Sequence, residues 1–307
     1  MLLVCSILAG CADNGVQPGA SGNAGIDAIP APSREAALSD WNVRAIGATQ
    51  AIRFGGSDTN VTAYAHGDSG SPNVTWNSTG GIIGDGCLRL VRPSGSSSSA
   101  SWRAPLNSKW TVRGEGFGIG VPFWVQYRFR LGPGRLKSNP GSAGFKISDI
   151  SQYNVSSPDS SRSHTNGEVV TQNQDWRGIP LVYRDIGWTS TPPFMPDATF
   201  RLKEGVWYTI MYRFEFPMWS NTRGTGNHFQ AWIARPGDTS WTTLYDVSGA
   251  SAIIGTNDND DVEGIPNGHN GIWFTTFETN ATAYNTATWQ EYDQLIVSLS
   301  QIPIPQS

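Results

Sequence analysis

Residues 123–131, FWVQYRFRL, alternate apolar and polar side chains with a period of two. One side of the alternation holds Phe123, Val125, Tyr127, Phe129 and Leu131. The other side holds Trp124, Gln126, Arg128 and Arg130. Successive side chains of a β-strand point to opposite faces, so this stretch is predicted to be a strand with one face in an apolar core and a polar, cationic outer face.

The same alternation recurs over residues 207–216, WYTIMYRFEF. Further strands are predicted over 87–92, 145–150, 168–173, 181–185, 229–234, 271–278 and 292–298. Gly, Pro, Asn and Asp cluster between them, as tight turns require. Many strands with turn-rich connections predict an all-β fold, namely a two-sheet antiparallel β-sandwich of the jelly-roll type.

The composition agrees with an all-β domain and argues against other classes of protein. The 307 residues include 35 Gly, 19 Pro and 13 Trp, and only 15 % are charged, whereas helical proteins are richer in Ala, Leu, Glu and Lys. The net charge of −4 lacks the basic excess typical of a nucleic-acid-binding protein. We therefore expect no nucleic-acid partner, and we expect a monomer.

The N-terminus indicates export. Residues 1–10, MLLVCSILAG, form an apolar run that is too short to cross a bilayer as a helix and is typical of a signal peptide. Residues 8–11, LAGC, resemble the lipobox of bacterial lipoproteins, which implies cleavage before Cys11 and lipidation of its thiol. We predict a protein of the bacterial cell envelope or extracellular space that contacts the membrane only through this lipid.

The predicted chain has three parts: a lipoprotein signal peptide over 1–10, a flexible tether over 11–40, and the sandwich domain over 41–305. The tether is rich in Gly, Ala, Pro, Ser and Asn. Within it, residues 34–38 are predicted to form one helical turn and no more.

Several segments resemble the concanavalin A-like lectin/glucanase superfamily, including its jelly-roll polysaccharide lyases. They are GCLRL at 86–90, SWR at 101–103, GVWYT at 205–209, HFQAWI at 228–233 and WQEYDQLIVS at 289–298. The resemblance implies a jelly-roll domain that binds or cleaves glycans. The paired-carboxylate strand motif of the superfamily's glucanases, Glu-x-Asp-x-x-Glu or Glu-x-Asp-x-Glu, is absent from the sequence. A glycoside hydrolase of that type is therefore disfavoured.

A polysaccharide lyase instead needs groups that neutralise a uronate carboxylate and a Tyr or His that moves a proton. The candidate catalytic residues are Arg128, Gln172, Tyr183 and His228. The candidate substrate-binding residues are Gln126, Arg130, Lys146, Asn173, Arg184, Gln230 and Trp232, and Trp124 and Trp273 are further candidates for stacking on sugars. These residues form one acidic-polysaccharide site only if their strand faces line a single concave sheet. The alternative is that they are ordinary solvent-facing residues.

No cofactor is required for this chemistry, and no His-x-x-x-His spacing indicates zinc. A structural Ca²⁺ is a candidate, because Asp258 and Asp260 lie in an acidic loop and calcium prefers carboxylate and carbonyl oxygens. Resemblance to the glucanases adds Asp293, near the final strand. Two other functions stay open: a non-catalytic glycan-binding module, and a structural cell-envelope or adhesion protein.

Overall fold

The stretch 123–131 is a central strand of the larger of two antiparallel sheets. The computed structural model describes residues 33–55, 73–95, 99–107, 120–136, 145–153, 162–172, 178–186, 189–190, 200–215, 228–248, 269–277 and 286–306. Residues Pro32–Ser307 form one compact unit.

The described elements are one helix and fourteen strands. In chain order they are α1 (Arg34–Ala45), β1 (Gln50–Ile52), β2 (Val74–Asn77), β3 (Cys87–Arg92), β4 (Ser101–Pro105), β5 (Phe123–Leu131), β6 (Phe145–Tyr153), β7 (Arg162–Gln172), β8 (Ile179–Ile186), β9 (Thr189–Ser190), β10 (Trp207–Glu215), β11 (His228–Ala234), β12 (Thr242–Ser248), β13 (Gly271–Thr275) and β14 (Thr288–Ser298). Sheet A has the strand order β12-β11-β10-β5-β14-β3-β2, and β1 pairs with the end of β14. Sheet B has the order β4-β13-β6-β7-β8-β9.

The main core lies between the two sheets and is rich in aromatic rings. Tyr127 of sheet A meets Phe274 of sheet B edge-on, with ring centroids 4.8 Å apart. Phe274 also stacks on Tyr292 at 4.2 Å. The Tyr127 hydroxyl donates a hydrogen bond to Ser148 Oγ at 2.6 Å, so its polar end is satisfied inside the core. The predicted two-sheet antiparallel β-sandwich is therefore confirmed, and the outer faces of its sheets lie on opposite sides of this core.

The segment that was predicted to end the flexible tether is a helix, α1. It runs over 12 residues instead of a single turn, and the Ser33 hydroxyl caps it by accepting the Ala36 N–H at 3.2 Å. The helix buries Ala37, Trp41 and Arg44, which are spaced on one helical face. Trp41 packs against Met211, Ile296 and Ile302 on the outer side of sheet A. The folded unit therefore begins before residue 41.

The predicted strands all exist, and most of their boundaries agree with the structure. Both β3 and β5 have the predicted bounds, whereas β7 begins earlier, at Arg162. The short strands β1, β2, β4 and β9, and also β12, were not predicted from the sequence. Among the described residues, no helix is long and apolar enough to cross a membrane.

Candidate functional site

Strand pairing lines up a row of polar and aromatic positions across sheet B. On β4 and β13, Trp102 and Phe274 point into the main core, so their neighbours Arg103 and Trp273 point outward. Strand pairing places five positions directly opposite one another across the sheet: Arg103, Trp273, Asp149, Glu168 and Tyr183. We call this set the sheet B row.

Lys146 joins the sheet B row because of a bulge in β6. The bulge falls between Lys146 and Ser148, so Lys146 and Asp149 both face outward although they are three residues apart. Lys146 Nζ lies 5.9 Å from the Trp273 ring centroid, and the Arg103 guanidinium carbon lies 5.3 Å from it. Two cations therefore flank one indole, which brings positive charge and an apolar ring side by side. Lys146 is 7 % and Trp273 8 % exposed, so each presents only an edge to solvent.

Two more of the predicted residues have register positions on the same sheet. On β7, position 168 pairs with Tyr183, position 170 pairs with Leu181, and Gln172 pairs with Ile179. Lys146 lies opposite Val170, and Tyr183 lies opposite position 168. Positions 168, 170 and 172 alternate along β7, so Gln172 belongs to the same set as the partners of Lys146 and Tyr183. Arg184 lies opposite Gly167 and belongs to the other set. Asn173 lies outside the described residues.

The condition for a single site, that all the candidate residues line one concave sheet, is not met. Gln126, Arg128, Arg130, His228, Gln230 and Trp232 lie on β5 and β11 of sheet A, whereas Lys146, Gln172 and Tyr183 lie on sheet B. The main core separates the outer faces of the two sheets. A single polymer strand lying on sheet B therefore cannot contact the sheet A residues.

Arg128 is buried beneath α1 instead of facing a groove. It is 2 % exposed, and its guanidinium lies 3.7 Å from the Asp40 carboxylate. Burial, together with the nearby charge of Arg44, lowers the pKa of Arg128 to about 9. Gln126 beside it accepts a hydrogen bond from Arg44 at 2.7 Å and donates one to the Pro303 carbonyl at 2.9 Å. These residues attach the helix and the C-terminal segment to sheet A, so a polysaccharide does not reach them.

His228 lies at the other end of sheet A in a polar network. Its Nδ1 is 2.8 Å from Arg213 Nη1, and its Nε2 is 2.8 Å from Asp246 Oδ1. Gln230 donates to the second Asp246 oxygen at 3.0 Å. Burial alone would raise the pKa of Asp246, but the hydrogen bonds from His228 and Gln230 hold it below its usual value. Both ring nitrogens of His228 are thus engaged, which does not suit a general base.

The predicted calcium ligands divide into two groups. Asp258 and Asp260 lie outside the described residues. Asp293 is 0 % exposed, and burial raises its pKa to about 7 although its oxygens accept the N–H groups of Ile82 at 2.9 Å and Gln294 at 2.8 Å.

The surroundings of Asp293 fit a calcium ion in part. The nearby Asp85 adds a second carboxylate, whose two buried oxygens accept no hydrogen bond from the described residues. The Arg53 Nε lies 3.2 Å from this carboxylate. No group of three His, Cys, Asp or Glu side chains that could hold a metal occurs among the described residues. Calcium there would need backbone carbonyls as additional ligands.

Arg103 and Asp149 were not singled out by the sequence. Arg103 lies in the short strand β4, which ends at a proline and follows a Ser-rich run, so its alternation covers too few residues to be recognised. Strict alternation from Lys146 predicts that Asp149 faces the core. The β6 bulge shifts the register, so Asp149 faces outward instead. Trp273, in contrast, was recognised as a candidate for stacking on sugars.

Two solved structures of similar fold are polysaccharide lyases. One is the endo-β-1,4-glucuronan lyase from the fungus Trichoderma reesei, with a TM-score of 0.50, 12 % identity, and coverage of 82 % of this chain and 96 % of that one. The other is the PL-14 alginate lyase from Aplysia kurodai, with a TM-score of 0.52, 12 % identity, and coverage of 81 % and 98 %. No known family model and no curated protein matches the sequence. The similarity establishes a shared fold.

Proposed function

We propose that this protein binds an acidic polysaccharide on the outer face of sheet B and cleaves it by β-elimination. The observation that supports the proposal most is the placement of Lys146 and Arg103 on either side of Trp273, in register with Tyr183. The shared fold with two polysaccharide lyases supports it further. In this proposal the catalytic groups are residues of sheet B, and no longer Arg128 and His228.

The chemistry assigns one role to each group. Lys146 and Arg103 neutralise the uronate carboxylate, and Gln172 hydrogen-bonds to it, which makes the proton on C5 acidic. The Trp273 ring packs against the apolar face of a sugar. Tyr183, as a phenolate, takes the C5 proton. The C4–C5 double bond forms as the bond from C4 to the leaving oxygen breaks, and the proton passes to that oxygen.

Substitution of Lys146 tests this site. Lys146→Ala is expected to lower kcat/KM on a uronate polymer by about 100-fold, because one electrostatic contact to the developing negative charge is lost. Formation of the unsaturated product is followed by its ultraviolet absorbance on alginate, polyglucuronate and polygalacturonate. The matched control is Lys203→Ala, which removes the same charge from an exposed position outside sheet B. Equal loss in both variants, or no loss in either, contradicts the proposed site.

A hydrolase is the second candidate, because Asp149 and Glu168 lie directly opposite each other on β6 and β7. Opposite positions in a sheet have Cβ atoms roughly 5 Å apart, and glycoside hydrolysis requires two carboxyl groups at a controlled separation. The reaction products distinguish the two activities, since hydrolysis leaves saturated ends and β-elimination leaves an unsaturated one. Polymer binding without any product identifies a glycan-binding module instead.

We also propose that lipidation of Cys11 attaches the protein to the cell envelope, and that Asp293 and Asp85 contribute to a structural calcium site. The first proposal is supported by the LAGC sequence at 8–11. The second is supported by two buried carboxylates that act on each other electrostatically. Neither lipid nor calcium takes part in the proposed elimination.

A further inference from the structure

A second cationic site lies on the outer face of sheet A, away from the sheet B row. Its centre is Glu291 on β14, which is 0 % exposed. Glu291 lies opposite Arg89 on β3 and opposite Arg130 on β5, so one carboxylate stands between two guanidinium groups. We call Arg89 and Arg130 the arginine pair.

Glu291 fixes both members of the arginine pair by side-on contacts. Its Oε1 accepts Arg89 Nε at 2.8 Å and Nη2 at 2.6 Å, and also accepts Asn77 Nδ2 at 2.8 Å. Its Oε2 accepts Arg130 Nε at 2.8 Å and Arg130 Nη2. Although burial raises the pKa of Glu291, these hydrogen bonds hold it below its usual value, so the group is ionised at neutral pH. One negative charge therefore faces two positive charges.

The guanidinium groups keep donors for a further partner. Each guanidinium has five N–H donors, and Glu291 uses only the Nε and Nη2 atoms of each arginine. Within the described part of the chain, neither Nη1 atom donates a hydrogen bond to another residue. The side chains of Arg89 and Arg130 are 31 % and 25 % exposed, so these donors can reach a ligand from solvent.

Indole rings hold the arginine pair in place. The Trp289 ring centroid lies 4.7 Å from the Arg89 guanidinium carbon and 5.5 Å from that of Arg130. The Trp207 centroid lies 4.8 Å from Arg130. Trp289 itself rests on Gly132, where an added Cβ would stand 2.4 Å from the ring. Charges that are already ordered lose little conformational entropy on binding, which favours recognition of an anion.

Arg213, at the other end of sheet A, provides a comparison, because both of its Nη atoms contact other side chains. Its Nη2 donates to Glu215 at 2.6 Å, and its Nη1 contacts His228 and Gln230. Two carboxylates, those of Glu215 and Asp246, belong to that network. The positive charge is balanced there, whereas the arginine pair retains a net positive charge and outward donors.

We propose that the arginine pair binds a carboxylate or sulfate group of an acidic glycan, as a second, non-catalytic site on the opposite side of the sandwich from Lys146. Arginine is suited to this ligand because its planar fork matches the two oxygens of such a group. The inference rests on the proposed function only for the nature of the ligand, an acidic glycan. The site would hold a polymer chain while a second segment occupies sheet B.

The test is a titration of the isotope-labelled full chain with a short oligogalacturonate, followed through the Nε–H signals of Arg89 and Arg130 and the indole N–H of Trp289. These signals are expected to shift and saturate. The fully methyl-esterified oligomer has the same sugars without the charge and is expected to cause no shift. Absence of the shift, or an equal shift with the esterified oligomer, overturns the proposal. A shift caused only by anionic phospholipid vesicles also overturns it.

Two charge-preserving variants define the geometry. Arg89→Lys and Arg130→Lys keep the charge but lose the planar fork, and each is expected to weaken oligogalacturonate binding at this site by about tenfold. Arg34→Lys is the matched control on an exposed position of α1 and leaves binding unchanged. Unaltered affinity in both variants of the arginine pair, in protein whose Trp289 signal shows a native fold, contradicts the proposal.

The two proposals can fail separately. If both proposals hold, Lys146→Ala lowers kcat/KM as stated above, but the Arg89 and Arg130 signals still shift. A protein that cleaves no uronate polymer and still shows these shifts loses the proposed lyase activity and keeps the second site. A protein that forms unsaturated product without the shifts keeps the lyase activity and loses the second site.

Discussion

Asp293 has no exposed surface, and its carboxyl group is held in a bulge of β14. Its pKa is raised from the ordinary value of 3.8 to about 7, mainly by burial. The folded state therefore keeps its proton at pH values where the unfolded chain has already lost it. Since the folded state binds more protons between these two pKa values, stability decreases as the pH rises from about 4 to about 7.

Asp293→Asn removes this titration and tests it. Relative to the variant, the parent protein is expected to lose on the order of a few kcal/mol of unfolding free energy between about pH 4 and about pH 8. Urea unfolding at each pH measures the difference. If Asp293 binds calcium, the ion competes with the proton, so added Ca²⁺ stabilises the parent protein more at the higher pH. Parallel pH profiles for the two proteins disprove the assigned titration, and the absence of a Ca²⁺ effect in the parent rejects the calcium site.

Individual residues show why the sequence did not predict the site. Arg128 and Lys146 each occupy an outward position on an amphipathic strand, and alternation treats them alike. Yet Arg128 is covered by α1, whereas Lys146 lies beside Trp273 on the other sheet. Whether a distant segment covers an outward residue depends on tertiary contacts, and the alternation along one strand does not predict them. Trp273, in contrast, could be selected because a tryptophan on a strand is a candidate for stacking wherever its sheet lies.

At the scale of single elements, α1 is longer than its sequence predicts. Its sequence, REAALSDWNVRA, has no continuous apolar stripe. The helix instead uses one tryptophan, one alanine and a buried arginine, because the surface that it covers is itself partly polar. The strands β3 and β5 were predicted with their observed bounds because each alternates over enough residues to be recognised.

Trp41→Ala tests whether α1 stabilises the sandwich. We expect a loss of about 3–5 kcal/mol in the unfolding free energy, because the indole is buried against Met211, Ile296 and Ile302. Val43→Ala on the same helix is the control, since Val43 is 58 % exposed and its truncation changes stability little. Urea denaturation of both variants gives the comparison. Equal midpoints for Trp41→Ala and the parent protein exclude a stabilising role for the helix.

At the scale of the whole molecule, alternation predicted a two-sheet fold but could not distribute the strands between the sheets. Each amphipathic strand has one outer face, but a sandwich has two outer faces on opposite sides. Strands β5 and β6 both carry polar residues outward, and pairing assigns β5 to sheet A and β6 to sheet B. Pairing partners are far apart in the sequence, as with β5 and β14, so local patterns do not reveal them.

The proposed lipid anchor is also a property of the whole molecule. Metabolic labelling with a radioactive fatty acid in a bacterial host is expected to label the parent protein, and Cys11→Ser is expected to remove the label and release the protein from the membrane fraction. Cys87→Ser is the control, because Cys87 is buried in the sandwich. Label that persists in Cys11→Ser contradicts lipidation at this residue.

The hydrogen bond from the Gln306 N–H to Asp40 Oδ1, 3.0 Å long, brings the last described residues of the chain next to its first helix. Helix α1 and the C-terminal residues up to Gln306 thus share one flank of the sandwich, that of sheet A. A tag inserted directly after Gln306 would therefore be attached on this flank. The attachment point and the surface around Lys146 would then lie on opposite sides of the sandwich.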